Sequence, residues 1–168
     1  MRYIGALLVT LAGLGLGLYY ARRLHRRVDF LRRTDNLLEA LLHRLTYAVL
    51  PMGDLWKELA EGGAFAGFSL LDDTVEGLSQ NPFPQAFCRA VEGAGANGLL
   101  LAAEQETLLA FGKDCGRFGL EEQAAHIRAC QGQIRQFCRQ AREQALAKGQ
   151  VYQMLGLAGG VGLSLLLL

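Results

Sequence analysis

Apolar residues recur three and four apart through most of this chain, the spacing of one face of an α-helix. Leu24, Val28, Leu31, Leu38, Leu42, Leu45 and Val49 form one such stripe, broken at Asp35 and ended by Pro51. Near the other end Ile127, Cys130, Ile134, Phe137, Ala141 and Ala145 form a second. Leu101, Leu108, Phe111, Cys115 and Phe118 predict a third helix of similar phase. Shorter helices are expected over about 53–61, around Trp56 and Leu59, and about 69–79, around Phe68, Leu71, Val75 and Leu78. Another should start at Pro84, since proline suits a first helical turn. Gly62-Gly63, Asn81-Pro82-Phe83-Pro84, the glycine-rich 93–98 and Gly119 are the expected breaks. No window alternates with period two for long, so an all-α bundle without a sheet follows.

The periodicity gives way to unbroken apolar runs at both ends. Residues 3–20 hold four glycines, one threonine and 13 apolar side chains; residues 151–168 hold four glycines, Gln153, Ser164 and 12 apolar ones. As helices each would extend roughly 27 Å, close to a hydrocarbon core. Two transmembrane helices, 3–20 and 151–168, are therefore expected around a helical domain over 21–150. A signal peptide would normally have a shorter apolar core followed by a small-x-small cleavage site, and Leu18 to Arg23 contains none. A buried helix or interfacial segment is the other reading of the second run. Gly13 and Gly17, and Gly156 and Gly160, lie four apart, a spacing that lets membrane helices approach closely; glycine is also frequent in membrane helices generally.

Composition now makes sense. The chain has 168 residues and is 51% hydrophobic with a net charge of +1. Without the two runs the hydrophobic share falls to roughly 46%, ordinary for a soluble domain. The charge is a cancellation: residues 1–33 sum to +6, residues 34–122 to −9 and residues 123–168 to +4. Arg22, Arg23, Arg26 and Arg27 follow the first run, and Arg142 and Lys148 precede the second. The positive-inside rule then places the central domain in the cytoplasm and both termini on the opposite side of the cell membrane. Tyr19, Tyr20 and Tyr152 suit the aromatic belt at that interface, and the basic flanks suit membrane lipid. The acidic middle is either a solvated surface or a face for a basic partner. A near-neutral total excludes a typical nucleic-acid binder.

Candidate chemistry is sparse. Gly93 to Gly98 spell G-x-G-x-x-G, but no strand precedes them, so an interhelical loop is expected rather than a dinucleotide site. Cys88, Cys115, Cys130 and Cys138 fit neither a zinc module nor a disulfide framework. Glu122, His126 and Cys130 lie four apart on one helix face, a row that suits packing better than a metal with no fourth ligand in view. His25 and His43 stand near no recognisable nucleophile. Asp72-Asp73 and Glu121-Glu122 are neighbours that do not converge on a helix, and Ser69 to Asp72 reads as a capping box. No cofactor, metal or catalytic residue is expected.

Several segments together resemble the stage III sporulation protein AB family. They are Gly5-Ala6-Leu7-Leu8, Ala21 to Leu24, Leu31-Arg32, Leu37 to Glu39, Tyr47, Pro51-Met52, and Tyr152 with Leu155-Gly156 and Gly159. The most specific piece is Leu108-x-x-Phe111-Gly112, with Gly116, Gln123 and His126-Ile127 at the expected distances. Two positions depart: Cys115 stands where leucine is usual, and Gly119 where aspartate is, which questions any cap or salt bridge that aspartate makes. The resemblance implies a bundle similar to the cytoplasmic domain of the platform protein of type II secretion systems. It further implies a non-enzymatic assembly platform of the mother cell–forespore channel complex, required for sporulation. Its implied partners are other channel subunits and a cytoplasmic ATPase, the stage III sporulation protein AA, possible self-association being left open. His126 is read as a satisfied bundle histidine or as a partner-facing or helix-fixing hydrogen bond. A membrane-anchored regulator of one soluble partner, or a membrane-tethered enzyme, are the rival functions.

Overall fold

The structure, a computed structural model, describes the backbone of residues 2–47 and 50–167 and the side chains of residues 22–45 and 50–147. Among the described residues it is all helical: α1 (Arg2–Tyr47), α2 (Met52–Glu61), α3 (Ser69–Gly77), α4 (Phe83–Ala96), α5 (Ala102–Asp114) and α6 (Leu120–Leu167). The chain forms two compact units. A bundle unit spans Asp29–Cys138, and a terminal unit comprises Met1–Val28 and Arg139–Leu168. The long helices α1 and α6 contribute residues to both. No helix is long and apolar enough among the described residues to cross a membrane. The runs 3–20 and 151–168 lie outside the residues whose side chains are described, as do Gly13, Gly17, Gly156, Gly160 and Lys148.

In the bundle unit the core face of α1 differs from the expected stripe. Leu31, Leu37, Leu38, Leu41 and Leu45 are buried and Leu42 is only half-buried, as are Leu24 and Val28 in the terminal unit. Asp35 is not a break in this face. Thr34 carries the core through that turn, its hydroxyl donating 2.9 Å to the carbonyl of Phe30. Such back-bonding lets a polar side chain sit in a core at little desolvation penalty. Thr74 does the same in α3, at 2.6 Å from the Leu70 carbonyl. The α6 stripe is as expected for Ile127, Cys130 and Ile134, all buried, with Phe137 at the margin.

Proline sets two helix starts. Pro51 caps α2, and Pro82 precedes α4, which begins at Phe83 with Pro84 in its first turn. The Ser69–Asp72 capping box does not form. Ser69 is already helical, and buried Phe68 holds the cap position without a side-chain bond. Packing fixes that end instead: the Phe68 ring lies 5.2 Å from Phe30, with the Arg33 guanidinium 5.8 Å from its centroid.

The segment 93–98 is also not a loop. Helix α4 continues to Ala96, and only beyond it does Gly98 take a positive φ of 70°. Ala90, Val91 and Ala94 keep this face in the core. A Cβ on Gly95 would stand 2.3 Å from Oε1 of Gln105 in α5, the movable end of a flexible side chain. Helix α5 starts at Ala102 and not Leu101, whose side chain is exposed and whose N–H donates to Glu104 Oε2 at 2.7 Å.

Ion pairs join α1 to its neighbours within the bundle unit. Arg135 of α6 donates from Nε to both oxygens of Asp35, at 2.9 and 3.2 Å, and from Nη2 to Glu39 at 3.2 Å. Arg44 pairs with Glu58 of α2.

Candidate functional site

The residues that carry the family resemblance converge. Phe111, Gly112, Gly116, Gln123 and His126 meet where α5 turns into α6 against α4. The periodicity that predicts a helix through Phe118 fails here. Helix α5 ends at Asp114, Cys115 is extended, and Gly116 takes a φ of 84° that a side chain would strain. Phe118 consequently leaves the core and is exposed.

Gln123 holds this turn with both ends of its amide. The N–H of Gly116 donates to its Oε1 at 3.0 Å, and its Nε2 donates to Cys115 Sγ at 3.1 Å. Gln123 is 3% exposed and its bond to Cys115 is buried, the one from Gly116 partly so, and a buried bond left unmade costs about 1–3 kcal/mol. Its own N–H donates to the Gly119 carbonyl at 2.8 Å. Gly119 immediately precedes α6, so it is the cap position where the family's usual aspartate would accept from the first helical turn.

Rings bind the turn to the core. His126 stacks on Phe111, with centroids 5.4 Å apart and planes 15° apart, and Phe118 flanks it at 5.6 Å. Phe111 stands edge-on to Phe87 at 5.7 Å, and Phe87 in turn to Trp56 at 5.5 Å. Gly112 permits that approach: a Cβ there would lie 2.4 Å from Phe87 Cδ1. His126 Nε2 is buried without a hydrogen-bond partner, so ring packing rather than a hydrogen bond fixes this imidazole.

The thiols in and beside this cluster are held protonated. Burial pushes the Cys115 thiol up to about 12, against the opposing hydrogen bond from Gln123, and burial does the same to Cys130. Neither is a thiolate near neutral pH, which nucleophilic or metal-binding cysteines must be. Among the described residues no three His, Cys, Asp or Glu side chains gather as metal ligands; exposed Glu122 stands apart in burial from Cys130.

The acidic middle lies elsewhere in the bundle unit. Asp54 and Glu58 of α2, Asp72, Asp73 and Glu76 of α3, and Glu92 of α4 are exposed. Asp73, Glu76, Gln80, Asn81 and Arg89 line a cleft of about 420 Å³ at the α3–α4 corner. Partial burial, then the carboxylates of Asp72 and Glu76, raises the Asp73 carboxyl above its ordinary range.

The arginines expected beside the membrane divide. Arg22, Arg23, Arg26 and Arg142 are exposed, whereas Arg27 is buried and donates from Nη1 to Gln144 Oε1 at 3.2 Å. Phe87, the partner that makes Gly112 necessary, carries no local sequence signal, nor does the Arg135–Asp35 pair. No curated protein and no solved structure matches the sequence. The family stage III sporulation protein AB matches residues 2–168, and this chain, with its motif positions gathered at the α5–α6 turn, belongs to that sporulation family.

Proposed function

We propose that the chain is a non-enzymatic assembly platform of the mother cell–forespore channel complex. Two spans, 3–20 and 151–168, anchor it in the cell membrane, with the bundle unit in the mother-cell cytoplasm and both termini on the opposite side. There it docks other channel subunits and the cytoplasmic ATPase, stage III sporulation protein AA. The observation that carries this reading is how the motif residues are used. Phe111, Gly112, Gly116, Gln123 and His126 shape a helical joint. What such a joint supports is a surface, and the exposed acids of α2, α3 and α4 supply one suited to a basic partner. The apolar runs, each flanked by arginine on its inner side, support the anchoring.

Topology tests the placement. In a chain whose four native cysteines are replaced by alanine, Ala64→Cys should stay unlabelled by an impermeant maleimide added to intact cells, and Leu168→Cys should react. The opposite pattern would remove the bundle unit from the cytoplasm and with it any docking of an ATPase. Affinity capture from sporulating cells should then recover the ATPase together with membrane subunits. Recovery of one soluble protein alone would replace the platform by a membrane-anchored regulator.

A further inference from the structure

We infer that the described part of the terminal unit is a collar for anionic phospholipid headgroups, built from Arg22, Arg23 and Arg26 of α1 and Arg139 and Arg142 of α6. This rests on the two-span reading above and adds the lipid chemistry that the membrane-proximal surface selects. All five side chains are exposed, and none is ion-paired among the described residues. In the bundle unit several cations are paired instead, Arg32 and Arg33 with Asp29, Arg44 with Glu58, and Arg135 with Asp35 and Glu39, although Arg89, Lys113 and Arg128 are exposed there. Over 22–28 and 139–147 the only carboxylate is Glu143. The described part of the terminal unit thus carries five exposed cations against a single carboxylate. Guanidinium groups suit phosphate, which they bind through paired N–H donors.

An apolar side chain supplies the second observation. Leu146, 67% exposed, is more exposed than any other large hydrophobic residue described. It follows Arg142 by one helical turn, on the side of α6 away from buried Ala141 and Ala145. The apolar run begins five residues later, about 7.5 Å along the axis, within the headgroup–acyl boundary of a bilayer. Arginine with leucine one turn nearer the run matches that boundary, phosphate outside and acyl chain inside. Arg27 is the internal contrast, since its guanidinium is buried against Gln144 and is not offered to lipid.

The test uses the full chain reconstituted in phosphatidylcholine vesicles, with spin-labelled phosphatidylglycerol or phosphatidylcholine as probe. The fraction of motionally restricted probe should favour phosphatidylglycerol about fivefold, the ratio that roughly 1 kcal/mol at a surface arginine produces. Replacing Arg22, Arg23, Arg26, Arg139 and Arg142 by glutamine should bring the ratio close to one at unchanged helicity, as should about 1 M salt. Arg27→Gln should keep the preference. Equal restriction of both lipids in the natural chain, or an undiminished preference in the five-glutamine variant, overturns the inference. Loss of the natural chain from vesicles on alkaline extraction overturns the two-span reading and this inference with it. Retention without preference overturns the inference alone.

Discussion

Gly112→Ala places one methyl group where α5 passes the ring of Phe87. Alanine is the better helix former, by about 1 kcal/mol in a helix interior, so propensity alone favours the variant. Space opposes it. The new Cβ would stand 2.4 Å from Phe87 Cδ1, 3.1 Å from its Cε1 and 3.3 Å from Cys88 Sγ. Phe87 has little room to yield, because it is 1% exposed and packed on Trp56, Phe83 and Phe111 at 5.5, 5.6 and 5.7 Å. Overpacking of this kind costs about 1–3 kcal/mol, and a contact this short with a confined ring belongs in the upper part of that range. A net loss of about 1–2 kcal/mol is expected. Gly132→Ala is the matched control. That glycine lies within α6 with nothing inside 4 Å of its added Cβ, and the change should stabilise by about 0.5–1 kcal/mol. Urea unfolding of the full chain in detergent measures both, followed by the fluorescence of Trp56, the one tryptophan in the sequence. The midpoints should move in opposite directions at constant slope. In a Phe87→Leu background most of the loss at Gly112 should vanish, giving a coupling of about 1 kcal/mol. A Gly112→Ala chain as stable as the natural one, or additive effects in that cycle, would refute the close approach.

Gln123→Leu removes both bonds that hold the α5–α6 turn; it should lower stability by about 1–3 kcal/mol and speed hydrogen exchange at the Gly116 amide by at least tenfold. Gly119→Asp should stabilise by a few tenths of a kcal/mol to about 1, read from the same urea midpoint, by supplying the missing side-chain acceptor ahead of α6. Cys115 and Cys130, buried and with thiols raised to about 12, should resist iodoacetamide at pH 8 and react only once the chain is unfolded. The raised Asp73 carboxyl means that the folded chain holds its proton more tightly than the unfolded one, so this group's contribution to stability falls as pH rises through the folded pKa. Asp73→Asn should therefore stabilise at pH 7, and the gain should disappear below the ordinary carboxylate pKa of 3.8 in a pH series of melts.

What could be read from residue order depended on whether the deciding contact was local. The start of α4 was legible to within one residue because Pro84 acts on its own backbone in the first turn. The buried face of α6 was legible because Ile127, Cys130 and Ile134 keep the helical spacing, even though Gln131 is buried among them. The α1 stripe was drawn off its true centre for the converse reason. Thr34 looks polar in a sequence, yet its hydroxyl is satisfied one turn back and it packs as core beside Leu37 and Leu41. Helix α5 was extended too far because Cys115 and Phe118 keep its period, and the turn that stops it is held by Gln123 from the next helix. Gly93 to Gly98 read as a loop because glycine usually interrupts helices, whereas Ala90, Val91 and Ala94 hold this stretch of α4 in the core. The α5–α6 cluster itself was legible through family resemblance alone. Its ring contacts join Phe87 to Phe111 and Phe111 to His126, 24 and 15 positions apart, and no local spacing encodes such pairings.

The corner between α3 and α4 carries a consequence of another kind. A Cβ on Gly77 would lie 3.0 Å from the Cβ of Ala86 and 3.3 Å from its Cα, so the two helices touch there almost backbone to backbone. No rotamer change can relieve crowding at such a contact, since neither residue has a torsion to turn. Substitutions at these positions are therefore not independent in descent: a lineage that enlarges one must leave the other at its minimum. The exposed Asp73 and Glu76 beside them face no such restriction. Exposed acids thus surround a pair of positions locked together, and the rim can change its charge while the corner that carries it stays the same.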